Sequence, residues 1–359
     1  MARPTKLLPV HGPRQRLLVV QPLVGIGVMV WHKHWIDHLA AHFDLVLAAK
    51  PTAMSQVLFH GTDGIVEWLD IDRSMRGRRG RHDGIAGLFR LAADFRAARA
   101  DQVVIMHHSA TYGLAARLAG IPVRWGYGIG GSRRWLNAGG FLGNDDRYTR
   151  PTKKLGRFAE ANGFGLQPPV WRMSVSAAAR KNAADWCDGH DIAADPGGDG
   201  QRPMAVFGVG AMDVERQWPP SYFAALAAKL HQAFPDLKIL LMGAPTEQPI
   251  IDAVLADPAS PAGLIATIRP LDEAVALIAA AQAYFGNDTS LLNIAAACGR
   301  PAIGVFAQTE PLDYSDSIIP VALPDGRFGE TGAIRRISAA QAFDVVAAVL
   351  ETADASPDP

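Results

Sequence analysis

The chain has 359 residues, 49% of them hydrophobic, with 35 basic side chains balancing 35 acidic ones. Such a chain has apolar content for two domain cores, and its neutrality gives no global electrostatic reason to bind nucleic acid. Two cysteines, Cys187 and Cys298, exclude a disulfide framework; no N-terminal signal peptide and no membrane-length apolar run is legible, so a cytoplasmic protein is expected.

The first strand is expected at 17–21 (LLVVQ), followed by the turn Gly25-Ile-Gly27 and a helix over 28–43. This turn departs from a dinucleotide fingerprint. Val30 stands where a third glycine belongs, and the next strand, 45–49 (LVLAA), ends without an acid, which disfavours a dehydrogenase. The helix carries His32, His34, His38 and His42. His32 shares a face with Val28, Trp31, Leu39 and Phe43, and a helix N-terminus favours a neutral, proton-accepting imidazole. His34, His38 and His42 have the i,i+4 spacing of zinc ligands, but no glutamate or third ligand completes a set.

A strand at 65–70 (IVEWLD) leads into a loop holding Arg73, Arg76, Arg78, Arg79 and Arg81. Such a run is either a solvated loop or a contact for an anionic ligand or membrane face, and Arg133, Arg134, Lys153 and Lys154 extend the basic character. A helix at 88–100, a strand at 103–108 ending in His107-His108, a helix at 112–119 and a strand at 123–128 complete a first domain, 1–187. The Gly-, Pro- and Asp-rich segment 188–203 is expected to be a linker.

The second domain, 204–359, repeats the plan, with strands at 204–210, 237–244, 264–268, 283–286 and 302–307. Helices are expected at Ser221–Phe234, Gln248–Ala256, Asp272–Ala281 and Thr289–Cys298. This alternation predicts an α/β chain of two Rossmann-like domains with parallel sheets, and ligands gathered at the carboxyl ends of strands in a cleft between them. The sharpest local pattern is FGNDTSLLNIAAACGRP, 285–301. Its helix starts with Asp288 or Thr289 as cap and stops at Gly299 and Pro301. The amides of Thr289 and Ser290, with the helix dipole behind them, suit a phosphate. Asp288 would repel that phosphate, so its carboxylate serves either as a cap or as an acceptor for sugar hydroxyls.

The stretch FGNDTSLLNIAAACGRPAIGVFAQTEP resembles the signature of glycosyltransferase family nine, the ADP-heptose:lipopolysaccharide heptosyltransferases. ERQWPPSYFAALAAKL (215–230), LLMGAPTEQ (240–248) and AARLAGIPVRWGYG (115–128) resemble further elements of that family. The resemblance implies a GT-B fold and an inverting transfer that needs no metal or cofactor. It implies a nucleotide-sugar donor in the second domain and an anionic glycolipid acceptor at the first, with peripheral contact at the inner membrane. On the donor side it points to Arg216 near phosphate, Thr289 and Ser290 on the diphosphate, Asp288 on the sugar and Glu247 on the ribose. Met242, Gly243 and Asn293 line the same site. On the acceptor side the expected contacts are Gly25 and Gly27 of the first turn and, where the basic loop meets an anion, Arg73, Arg76 and Arg78.

Three positions depart from the family pattern. Ser290 replaces a glycine, Asn293 replaces a histidine, and Val28 stands where the family places its catalytic aspartate. His32 is the expected substitute base, with His34, Asp37, His107 and His108 as alternatives. Asp70-Ile-Asp72 resembles the acidic triplet of metal-dependent transferases of a different fold, which this reading does not require. The other expectation is a catalytically weakened nucleotide-sugar-binding protein, or a transferase with a different donor.

Overall fold

The computed structural model describes residues 14–74, 79–164, 173–192 and 202–354. The chain divides into two compact units, Met1–Val170 and Trp171–Pro359. In the first, β1 (Arg16–Gln21), α1 (Ile26–His42), β2 (Asp44–Ala49), α2 (Ser55–Leu58) and β3 (Ile65–Asp70) come first. Then follow α3 (Gly84–Ala97), β4 (Gln102–Ile105), α4 (Ala110–Leu118), β5 (Val123–Gly126) and α5 (Pro151–Ala161). The sheet is parallel throughout, in the order β3-β2-β1-β4-β5. Leu17, Leu18, Val19 and Val20 are all fully buried, as expected of a central strand covered on both faces. Leu18 and Val20 pack with Leu91 and Phe95 of α3 and Ala115 of α4.

The second unit opens with α6 (Ala177–Asp188), then β6 (Arg202–Gly208), α7 (Pro220–Ala233), β7 (Lys238–Met242), α8 (Gln248–Leu255) and β8 (Ile265–Thr267). It continues with α9 (Leu271–Ala280), β9 (Ala281–Asn287), α10 (Ser290–Ala297), β10 (Ala302–Phe306), β11 (Ile318–Ala322) and α11 (Ala339–Asp354). Its six parallel strands run β11-β10-β9-β6-β7-β8. That is the doubly wound order, with the direction of winding reversed between β6 and β9. Under the helices, Trp218 packs on Phe223 and Phe285 with ring centroids 4.9 and 5.2 Å away.

The unit boundary differs from the sequence expectation of 187/188. Helix α6, nearly all of it on the first-domain side of that expected boundary, belongs to the second unit, where it packs on α9 and Asn182 donates to Glu273 at 3.1 Å. The linker proposed at 188–203 lies mostly outside the described residues, as do Arg76 and Arg78.

Candidate functional site

In the second unit the carboxyl ends of β6, β7 and β9 meet at the point where winding reverses, the place where doubly wound sheets take ligands. Close approach there depends on missing side chains. Gly208 of β6 pairs with Gly286 of β9. A Cβ on Gly208 would lie 1.8 Å from the Tyr284 hydroxyl, and one on Gly286 would lie 2.5 Å from the Gly208 carbonyl. Beyond β6, a Cβ on Gly210 would fall within 1.8–2.0 Å of the Glu247 carboxylate. Glu247 therefore lies across the mouth of β6. It is held there by the turn after β7, where its Oε2 accepts from the Ala244 amide at 2.7 Å. Gly243 leaves room for the same side chain, with Oε2 3.0 Å from where its Cβ would be. Met242 contributes backbone only: its side chain is buried and its carbonyl accepts from the Val209 amide at 3.2 Å.

The turn from β9 into α10 supplies the polar groups. Thr289 is the N-cap residue, and its side chain makes no capping bond to the first-turn amides. Those amides, beginning at Ser290, carry the positive end of the helix dipole. Gly299 takes φ +71° just past the helix, the left-handed stop expected from the sequence. Asp288 reaches Arg216, whose Nη1 donates to Oδ2 at 3.2 Å, while Thr309 Oγ1 donates to the same oxygen at 3.1 Å. Arg216 is presented by a short 3-10 turn, Val214–Arg216, capped by Asp213. Asn293 is buried; its Nδ2 donates to the Thr289 carbonyl at 2.7 Å and its Oδ1 accepts from the Tyr314 hydroxyl at 2.5 Å. Arg216, Asp288, Thr289, Ser290 and Asn293 are thus brought together, with Glu247 reaching the same switch point from β7.

Asn287 is a site residue that sequence reasoning missed. It is fully buried, accepts from the Trp218 amide at 3.0 Å, and donates to the Val209 and Gly210 carbonyls at 3.0 Å each. The signal was its place between a buried strand and the capping pair, where a polar residue must find partners. Thr309 and Tyr314, in the segment after β10, were likewise unassigned.

In the first unit, Gly25 is the N-cap of α1 with φ +98° and ψ 143°, a conformation reserved for glycine. Gly27 is buried in the first turn. His32 contradicts its expected role as base. It is fully buried; Nδ1 donates to the Val28 carbonyl at 2.7 Å, with the Gln21 amide 3.3 Å away. Its Nε2 is sealed from solvent with no partner among the described residues. Burial pushes its pKa down to about 4, against the opposing effect of the Val28 bond. So the imidazole is neutral, as expected, but a side chain without accessible surface cannot meet an acceptor hydroxyl. The face shared with Leu39 and Phe43 is a core face.

Arg73 is half-buried, 3.6 Å from Asp83 and stacked over Tyr112. Arg133 and Arg134 lie over Phe141 and Trp135, and Lys154 is buried with Nζ donating to the Arg147 carbonyl at 3.0 Å. In the α1 ladder, His38 contacts the Phe164 carbonyl at 3.2 Å and His42 packs edge-on against it. Among the described residues, no three His, Cys, Asp or Glu side chains are gathered as a metal-binding group.

Two doubly wound parallel sheets, the second with a helix N-terminus, an arginine and two carboxylates at its switch point, define an α/β protein of the Rossmann-like class, whose sheets take ligands at such points. The model of glycosyltransferase family 9 (heptosyltransferase) matches residues 88–322, and the chain belongs to that family. It is 26% identical over 233 residues to lipopolysaccharide heptosyltransferase 2 of Escherichia coli, an alignment covering 62% of this chain and 64% of that protein. The chain therefore spans just under two thirds of the curated relative. The glycosyl transferase family 9 structure from Veillonella parvula superposes with a TM-score of 0.75 at 18% identity, covering 94% of this chain and 97% of that one. The E. coli ADP-heptose lipopolysaccharide heptosyltransferase II structure gives 0.71 at 22%, covering 94% and 99%. The fold is that of the GT-B heptosyltransferases.

Proposed function

We propose that the chain is a glycosyltransferase that takes a sugar, by analogy with its relatives a heptose, from a nucleoside diphosphate, by the same analogy ADP, to an anionic saccharide of the lipopolysaccharide core type. The observation that carries this reading is the convergence of Glu247, Arg216, Asp288 and the α10 amides on one switch point. Departure of a nucleoside diphosphate adds negative charge, and fixed donors aimed at it lower the barrier. The α10 amides and Arg216 are suited to that charge without a metal. Glu247, held over Gly210, is suited to accept from ribose hydroxyls, and Asp288 from the transferred sugar. Direct, inverting displacement also needs a base for the acceptor hydroxyl. Acceptor binding and membrane contact fall to the first unit, with Gly25, Gly27 and Arg73 among its contacts.

A second reading, a nucleotide-sugar-binding protein with weakened catalysis, is favoured by the sealing of His32 and by Val28 in a first turn of α1 that bears no carboxylate. A thermal-shift panel of ADP-, UDP- and GDP-sugars followed by an assay of nucleotide release separates the two. The enzyme reading expects stabilisation by one nucleotide-sugar and release of its nucleoside diphosphate when acceptor is added. Stabilisation without release in the presence of core acceptor would establish the second reading, and no stabilisation by any member would overturn both.

A further inference from the structure

Tyr284 carries a hydroxyl for which the second sheet makes room. It stands on β9 two residues before Gly286, so its ring lies on the same face of the sheet as that glycine. The side chain is fully buried, and its hydroxyl reaches along the strand to the level where Gly208 and Gly286 pair. A Cβ on Gly208 would stand 1.8 Å from that oxygen, and one on Gly286 2.7 Å from it. Neither glycine has a positive φ, so their backbones do not demand glycine. Their missing side chains leave the space that the phenol oxygen fills.

A phenylalanine would occupy the same place without that oxygen. The hydroxyl is sealed from solvent and makes no hydrogen bond among the described residues, which costs stability that a purely apolar ring would not. Burial chiefly, with the Glu247 and Asp288 carboxylates nearby, pushes its pKa well up, so the phenol keeps its proton and remains a donor. The Thr289 side chain acts in the opposite sense. It is near enough to be a hydrogen-bonding neighbour of the phenol, although no bond of normal geometry closes between them. Thr289 is the N-cap residue of α10, and its carbonyl is held by Asn293 Nδ2 at 2.7 Å. Its side chain makes no capping bond to the first-turn amides, so its hydroxyl proton can turn toward a ligand. A buried donor without an acceptor thus lies beneath the start of α10, beside a hydroxyl that can both accept and donate.

We propose that Tyr284 is a positioning residue for the diphosphate of the donor, acting through Thr289. The inference rests on the transferase reading given above. On binding, the Thr289 hydroxyl donates its one proton to a phosphate oxygen at the head of α10, and its Oγ1 accepts from the Tyr284 hydroxyl. The phenol gains its partner together with the nucleotide. Each hydrogen bond of the chain polarises the other, which strengthens the one that meets the phosphate. The cost of leaving the phenol unpaired is relieved by binding, and this adds to the affinity for a diphosphate.

The test is calorimetric titration of the full chain with ADP, UDP and GDP, which present one diphosphate on three bases, followed by a double-mutant cycle with the nucleotide that binds. Tyr284→Phe keeps the ring and removes the unpaired oxygen, so its melting temperature should equal or exceed that of the natural chain. Its affinity for the nucleoside diphosphate should nevertheless fall about fivefold, the support of one hydrogen bond. The cycle separates this from a general loosening of the site. The penalty should persist in a Thr289→Ser background, which keeps a hydroxyl, and shrink below about twofold in Thr289→Ala, which has none. An equal penalty in both backgrounds overturns the relay. So does a lower melting temperature for Tyr284→Phe, which would show a phenol already satisfied within the fold. Binding by the natural chain with no penalty in Tyr284→Phe sinks this inference alone, whereas a natural chain that binds none of the three nucleotides sinks the donor reading and this inference with it.

Discussion

Asn287 holds three backbone groups with one side chain: the Trp218 amide and the carbonyls of Val209 and Gly210. All three sit at the mouth of β6, so this amide sets the separation between the loop bearing Arg216 and the turn bearing Asp288. Asn287→Ala leaves buried groups unsatisfied and should cost at least about 2 kcal/mol, measurable by urea unfolding. Gly210 acts at the same place by absence. A methyl group there meets the Glu247 carboxylate at under 2.1 Å, whereas the backbone needs no left-handed conformation. Gly210→Ala should therefore fold and displace Glu247. Calorimetry should show nucleotide affinity down by about tenfold or more, as for loss of a charge-assisted bond. A variant with native affinity would remove Glu247 from the ribose.

At the scale of elements, the strands that position the site were legible because buried parallel strands read as unbroken apolar runs. Helix α10 was legible from both ends, through its capping pair and Gly299. The misses have physical causes. Strand β11 contains Pro320, which argues against a central strand; it is tolerated because β11 is the sheet edge, paired only with β10. Helix α11 had a readable pattern in Ala342, Val346 and Leu350, all buried at i,i+4 spacing, but no motif drew notice to it. His32 was misassigned because periodicity identifies a face but not whether that face meets core or ligand. Partners such as Asn287 with Val209, or Thr309 with Asp288, are tertiary facts with no local signature. The start of α1 gives a direct test of an element. Gly25 holds φ +98° in open space, so Gly25→Ala meets no clash but must strain its backbone or move the helix start. We expect a loss of about 1–3 kcal/mol in unfolding free energy. A loss near zero would mean that the turn relaxes freely and does not fix α1.

For the whole molecule, the depressed histidines are distributed unevenly: His32, His34, His38, His107 and His108 all lie in the first unit. A histidine whose folded pKa lies below its unfolded value gives the unfolded chain more bound protons at intermediate pH. Its contribution is intact above the unfolded value and is lost as pH falls toward the folded one. For His32 that window runs from 6.5 down to about 4, and the loss across it is about 3 kcal/mol. His107 extends the same trend to about 3. Acid should therefore loosen the first unit before the second. Hydrogen exchange read by mass spectrometry between pH 7 and pH 4.5 should show protection falling first in β1, α1 and β4, while β6, β9 and α10 stay protected. His32→Gln removes one of these titrations while keeping an amide donor for the Val28 carbonyl, so its stability should fall less steeply across the window than that of the natural chain. Equal loss of protection in both units, or an unchanged slope in His32→Gln, would mean that the buried imidazoles do not govern the acid response.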